Sequence, residues 1–252
     1  MMRAILSPAK QMVRDDTLAP AALPALLPRS LQLLEALRAL ELPALQKLLG
    51  CSEPLARQAL QGFARMEPRR LAALTPALLA YNGIQYKYMA PGVFTRAQLA
   101  WVQRHVRILS GFYGVLRPFD GVAPYRLEMQ ARLAVGSCRD LYAFWGGALA
   151  GQVVEDGEGA DTVIDLASAE YSRAVMPHLP AGVRRVKCVF AQLQGGRLVE
   201  KGVYVKMARG EMVRFLAETG ARRPEDLQAF DRQGYRFAPE HSFCGTYVFL
   251  RP

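Results

Sequence analysis

The segment at residues 109–129, "LSGFYGVLRPFDGVAPYRLEM", most constrains what this chain can fold into. Pro118 and Pro124 fix the backbone at two points, and Gly111, Gly114 and Gly121 permit sharp turns between them. Phe112, Tyr113, Phe119 and Tyr125 need a core to pack against. Neither a long helix nor a central strand accommodates that spacing, so the segment must wrap a core as a stiff, irregular frame. It carries two cations. Arg117 immediately precedes one proline, and Arg126 follows the other by two. The expectation is that the frame aims both at one shared anion.

The rest of the chain supplies strands and helices for such a frame. "RAILSPAK" predicts a first strand, Ala4 to Leu6, broken at Pro8. "SLQLLEALRAL" has helical apolar spacing with Ser30 as N-cap. Residues 43–80, punctuated by Pro43, Pro54, Pro68 and Pro76, predict several short helices. A helix capped by Thr95 is expected over residues 96–109. Another is expected in "DLYAFWGGALAGQV", ended by a turn in "EDGEGAD". "TVIDLAS" predicts a strand, and residues 183–210 predict two strands around Gly195-Gly196. "GEMVRFLAETG" predicts a helix closed by Gly220, and two short strands end the chain. The sum is an α+β fold: a single domain over residues 1–252, its mixed sheet surrounded by helices, with a helical insertion near the front.

Several function classes are disfavoured. Cys51, Cys138, Cys188 and Cys244 form no C-x-x-C pair, and His105, His178 and His241 lack ligand spacing, so neither a metal nor a cofactor is expected. Phosphate-loop, dinucleotide-binding and nucleophile-elbow motifs are absent. No apolar run reaches the roughly 20 residues of a membrane span, so a cytoplasmic monomer without a membrane partner is expected. The net charge of +10 favours polyanionic partners or phosphorylated substrates.

The cations that stand out lie beside Gly, Pro or Tyr: Lys10, Arg117, Arg126, Lys206 and Arg209. Lys206 and Arg209, three apart in "KMARGEM", share a helix face if the helix begins there. At its positive end they would call for an anion. Glu128 can pair with Lys10, Arg117 or Arg126. Ser168, Glu170 and Tyr171 follow a strand and are either cleft lining or a helix cap. Separately, "LQKLLGCSEPLARQAL", residues 45–60, fits helix-hairpin-helix spacing, with Gly50 at the turn, Ser52 at the second glycine position and Ala56 at a close helix contact. Such a hairpin presents backbone N–H groups to a DNA phosphate, and Arg57, Arg65 and Arg69 would add backbone contacts. Plain helix packing explains the same residues.

In order and spacing, "ILSPAK", the 109–129 segment, "DLYAFW", "VIDLASAEY", "VFAQ" and "VKMARGEMVRFL" resemble the YaaA family of peroxide stress proteins, also called DUF328 or UPF0246. The resemblance runs from residue 3 to about residue 250. It implies one α+β domain around a curved sheet, with a helix-hairpin-helix and a positively charged cleft. It also implies a cytoplasmic protein that responds to hydrogen peroxide, binds DNA and limits iron-dependent damage. By position, the family's cleft maps to Ser7, Lys10, Arg117, Tyr125, Arg126, Glu128, Lys206 and Arg209. The chain departs from the family pattern at Tyr88, Met89, Asp165 and Cys244.

Two functions follow as expectations. The first is a DNA-binding protein of the peroxide response that grips phosphates without base readout. The second is an enzyme whose cleft takes a nucleotide, nucleobase or small anion. There Lys10, Arg126, Lys206 and Arg209 would clamp the anion, and Tyr125, Glu128 or Lys10 would carry the proton. Ser7 and Ser168 would complete the cleft. Direct iron handling is disfavoured because no metal-ligand cluster is apparent.

Overall fold

The computed structural model describes residues 1–252. The chain opens with β1 (Met2–Leu6) and the short β2 (Gln11–Met12). Three helices follow: α1 (Leu27–Arg38), α2 (Leu42–Leu49) and α3 (Glu53–Arg65). Short pieces come next: β3 (Thr75–Pro76), α4 (Ala77–Ala80), β4 (Tyr81–Asn82) and α5 (Ile84–Met89). Then come α6 (Arg96–His105), β5 (Val106–Ser110), β6 (Gly114–Leu116) and β7 (Gly121–Val122). After α7 (Leu141–Trp145) and α8 (Ala148–Glu155), β8 (Thr162–Leu166) leads through α9 (Ala169–Ser172) to the long β9 (Arg184–Gln194) and β10 (Arg197–Val199). The chain closes with α10 (Gly202–Thr219), β11 (Arg236–Phe237) and β12 (Thr246–Arg251).

Eight strands form one mixed sheet in the order β11-β12-β9-β8-β1-β5-β6, with β10 hydrogen-bonded to β9. The pairs from β12 to β5 are parallel; β11, β6 and β10 join antiparallel. Every residue of β1, β5 and β8 is buried, as expected of parallel strands covered on both faces. The architecture is α+β, with the mixed sheet expected from the sequence, and most of its strand pairs are parallel.

Four local expectations need correction. The single helix expected in "DLYAFWGGALAGQV" is two, α7 and α8, parted at Gly146, whose φ of 50° is left-handed. The helix over residues 96–109 stops at His105, and Val106–Ser110 leaves it as β5. Val106 and Ile108 are β-branched, and pairing with β1 satisfies their backbone groups better than another helical turn would. Ser30 lies inside α1, fully buried, with its hydroxyl donating to the Leu26 carbonyl, because Pro28 starts the helix earlier. The second strand after Gly195-Gly196 ends at Val199, and α10 already begins at Gly202. Lys206 and Arg209 therefore lie one to two turns into α10 rather than at its positive end.

The topology places a crevice. From β1 the chain goes first to β5 on one side and later to β8 on the other. The strand order therefore reverses between β1 and β8, and ligands of such sheets gather beyond the carboxyl ends of strands at that reversal. Ser7 directly follows β1, and Ser168 lies two residues beyond β8.

Candidate functional site: a cation-lined cleft at the strand reversal

Serine side chains join the two strand ends. The Ser168 amide donates to the Ser7 hydroxyl at 2.8 Å, and that hydroxyl donates to the Ser168 hydroxyl at 3.1 Å. Above them opens a cavity of about 500 Å³. Ser7, Lys10, Tyr125, Arg126, Glu128, Ser168, Lys206 and Arg209 all line it. Of the sequence-derived cleft, only Arg117 is missing.

Glycine contacts set the walls. A β-carbon on Gly111 would lie 2.5 Å from the Leu127 carbonyl oxygen, so only glycine lets the 127–129 segment return against the end of β5. A β-carbon on Gly210 would lie 2.1 Å from the Gln85 carbonyl oxygen. Its absence brings α5 directly onto α10, setting Gln85 beside the helix that carries Lys206 and Arg209. Gln85 and Tyr86, with Asn82, Glu170 and Tyr171, complete the wall. Sequence reasoning missed Gln85. The available signal was a polar residue between Ile84 and Tyr86 on a short apolar helix.

Tyrosines support the cleft. The Tyr125 hydroxyl lies 2.6 Å from the Ser110 hydroxyl and 2.9 Å from that of Tyr81. Ser110 also accepts the Tyr113 and Phe112 amides. Burial pushes the Tyr125 phenol up to about 12, with the Ser110 and Tyr81 hydrogen bonds pulling the other way. It is therefore protonated near neutrality and serves as a hydrogen-bonding wall rather than a base. Tyr86 donates to the Ser7 carbonyl at 3.0 Å.

The charges are unevenly satisfied. Lys10 Nζ lies 2.8 Å from Glu128 Oε1, while Arg126 reaches the same oxygen at only 3.9 Å. Gln85 Nε2, Arg126 Nε and Arg209 Nε are buried without a hydrogen-bond partner, and all three side chains line this one cavity. A buried donor left unpaired costs about 1–3 kcal/mol. Burial lowers the Arg209 pKa, and the charge that offsets this most is that of Asp165. Asp165 is itself raised by burial, while accepting the Ser172 hydroxyl at 2.5 Å and the Ala167 amide at 3.0 Å. Burial, with Glu128 nearby, also raises Glu170.

The Arg117 expectation is corrected by strand register. Ser110 faces Gly114 and Ile108 faces Leu116, so continuing past β6 sets Arg117 level with Arg107. That is the amino end of the parallel strands, whereas Arg126 has returned to the carboxyl end. Arg117 Nε donates to Asp156 at 2.8 Å, and Arg107 pairs with the same carboxylate at 2.5 Å.

The sequence departures lie mostly elsewhere. Met89 is buried where α5 meets Gly210, and neither Tyr88 nor the exposed Cys244 lines the cavity. Asp165 alone acts on the site, through Arg209 and the turn carrying Ser168.

Residues 45–60 run from α2 through a turn into α3. α2 ends at Gly50, whose φ of 52° is left-handed, and Ser52 precedes α3 without a side-chain cap hydrogen bond. Pro54 removes one N–H from the first turn of α3, and Glu53 holds Arg57 at 2.6 Å. Arg65 and Arg69 are exposed. Leu45 and Ala56 are fully buried, as helix packing requires.

A family model described as "Peroxide stress protein YaaA" matches residues 2–241. The chain belongs to the YaaA family. A UPF0246 protein of Desulfitobacterium hafniense is 46% identical over 252 residues, covering 99% of this chain and 98% of the relative. UPF0246 proteins of Agathobacter rectalis and Lactiplantibacillus plantarum are 43% and 44% identical, each covering 99% of both chains. The family resemblance read from the motifs therefore extends over the whole chain. No helix is long and apolar enough to cross a membrane, and no group of three or more His, Cys, Asp or Glu side chains is placed to hold a metal.

Proposed function

We propose that this YaaA-family chain serves the peroxide response by binding a small anionic ligand in the cleft between β1 and β8. The observation that carries the reading is the set of unpartnered buried donors on Gln85, Arg126 and Arg209, lining one cavity with Lys10 and Lys206. An anion is the ligand that satisfies such donors without adding desolvated positive charge. Ser7 and Ser168 hold the floor, Tyr125 holds the wall, and Glu128 holds Lys10 beside the cavity. Isothermal titration with inorganic phosphate at low salt tests it. Arg209→Met is expected to weaken binding at least tenfold while the fold is retained; unchanged affinity sinks the reading.

A second reading is DNA binding through the hairpin, limiting iron-dependent damage. Exposed Arg65 and Arg69, which have no acidic partner, favour it. Pro54 and the Glu53–Arg57 pair weigh against a phosphate seated at the start of α3. Its signature is duplex affinity that falls steeply with salt for any sequence, and that drops further on Arg69→Glu.

A further inference from the structure

A second cavity, of about 650 Å³, adjoins the first and shares Lys10, Arg126 and Glu128 with it. Its walls differ in character. Leu48, Leu49 and Leu133 supply apolar surface, and Ala44 and Ala134 leave it open. Lys47 and Arg132 also line it, and neither has an acidic partner within 4 Å. The inner chamber carries four cations against two carboxylates, Glu128 and Glu170. The outer chamber sets those apolar side chains beside Lys47, Gln130 and Arg132. Lys10, Glu128 and Arg126 stand between them.

Resting on the anion reading above, we propose that the two chambers form one site for a nucleoside monophosphate. The phosphate sits in the inner chamber on the unpartnered donors, and the planar base lies in the outer one. Three observations carry this. Gln85 is only 7% exposed and its Nε2 has no partner, so the inner chamber is built for an acceptor. The lining charge there, four positive and two negative, matches the dianion of a phosphate monoester. Glu128 at the partition would repel the longer chain of a triphosphate. The outer chamber offers what a base needs, apolar contact with cations available to its face. To admit the ligand's neck, Lys10 and Arg126 transfer from Glu128 to the phosphate, with no covalent step.

Titration of the full chain with AMP, GMP, adenosine, ATP and inorganic phosphate tests the proposal. AMP or GMP is expected to bind at least tenfold more tightly than adenosine, ATP or phosphate. Ala44 is exposed and lines only the outer chamber. Ala44→Trp should bring AMP down to the affinity of phosphate and leave phosphate unchanged. Ala134→Trp fills the same chamber from the 131–134 segment and serves if the first variant does not fold. If neither nucleotide exceeds phosphate, or both tryptophan variants leave AMP unaffected, the two-chamber site is overturned while the inner anion site stands. If phosphate and nucleotide binding are both indifferent to Arg209→Met, both readings fall.

Discussion

Two groups of arginines sit at opposite ends of the same parallel strands, and they are treated differently. At the amino end, Arg107 and Arg117 converge on the buried Asp156 carboxylate, and Arg3 donates to the Asp156 and Val153 carbonyls. At the carboxyl end, Arg126 and Arg209 share a cavity with Lys10 and Lys206, and Glu128 is held closely by Lys10 alone. Arg3 and Arg107 also carry a buried Nε without a partner, so the contrast lies in the acid: Asp156 is committed to Arg107 and Arg117, whereas Arg209 has no carboxylate at ion-pair distance. Removing the shared acid at the amino end should therefore cost stability, whereas removing an unpaired donor at the carboxyl end should not.

The largest effect belongs to Asp156→Asn. Burial would raise the Asp156 carboxyl, but the Arg117 hydrogen bond and the charges of Arg107, Arg117 and Arg3 hold it below the usual carboxylate range. Losing that charge strands Arg107, which is 3% exposed. The expected loss is about 3–5 kcal/mol in urea unfolding at pH 7. A carboxylate with a depressed pKa contributes stability above its unfolded pKa and loses it as pH falls through the folded one. The variant should therefore also lack part of the wild-type decline below about pH 4. A loss under 1 kcal/mol would mean that the amino-end cluster is not structural.

The neighbouring Asp120 behaves in the opposite way. Burial raises it to about 6, against the pull of the Arg117 amide and charge. Between the unfolded value near 4 and the folded value, the folded state holds the extra proton, so this group's contribution to stability falls as pH rises across that window. Asp120→Asn keeps an acceptor for the Arg117 amide and removes the cost of the buried charge. The expected gain is on the order of 1–3 kcal/mol at pH 7, vanishing by about pH 4. A variant equally stabilised at pH 4 and pH 7 would show that ionisation is not the cause.

The two arginine groups also mark how far the sequence could be read. Gly, Pro and aromatic spacing identified residues 109–129 as a stiff frame, and Gly111 and Ser110 carry that out. The cations of the cleft were legible because each lies within two residues of a Gly, Pro or Tyr. Arg117 was misassigned because its position depends on strand register, and β5 was hidden behind a continuous helical pattern. Asp156, its partner, lies in the "EDGEGAD" turn, which reads as solvated until the fold buries it. Gln85 required knowing that α5 packs onto Gly210, a contact between segments more than a hundred residues apart.

Gln85 gives the smallest change in stability and the clearest contrast in sign. Its Nε2 is buried and unpaired, so Gln85→Leu removes an unsatisfied donor at nearly constant volume. Apolar replacement of such a group is neutral or stabilising, here by about 0–1 kcal/mol in the same urea assay. Affinity for phosphate should nevertheless fall, because the donor that cost stability in the free protein is one that the anion satisfies. A stable variant that binds phosphate as before would mean that Gln85 is a packing residue only, leaving the cleft to its arginines. If the variant is destabilised by as much as Asp156→Asn, Gln85 is a structural group after all, and the proposed difference between the two ends of the sheet does not hold there.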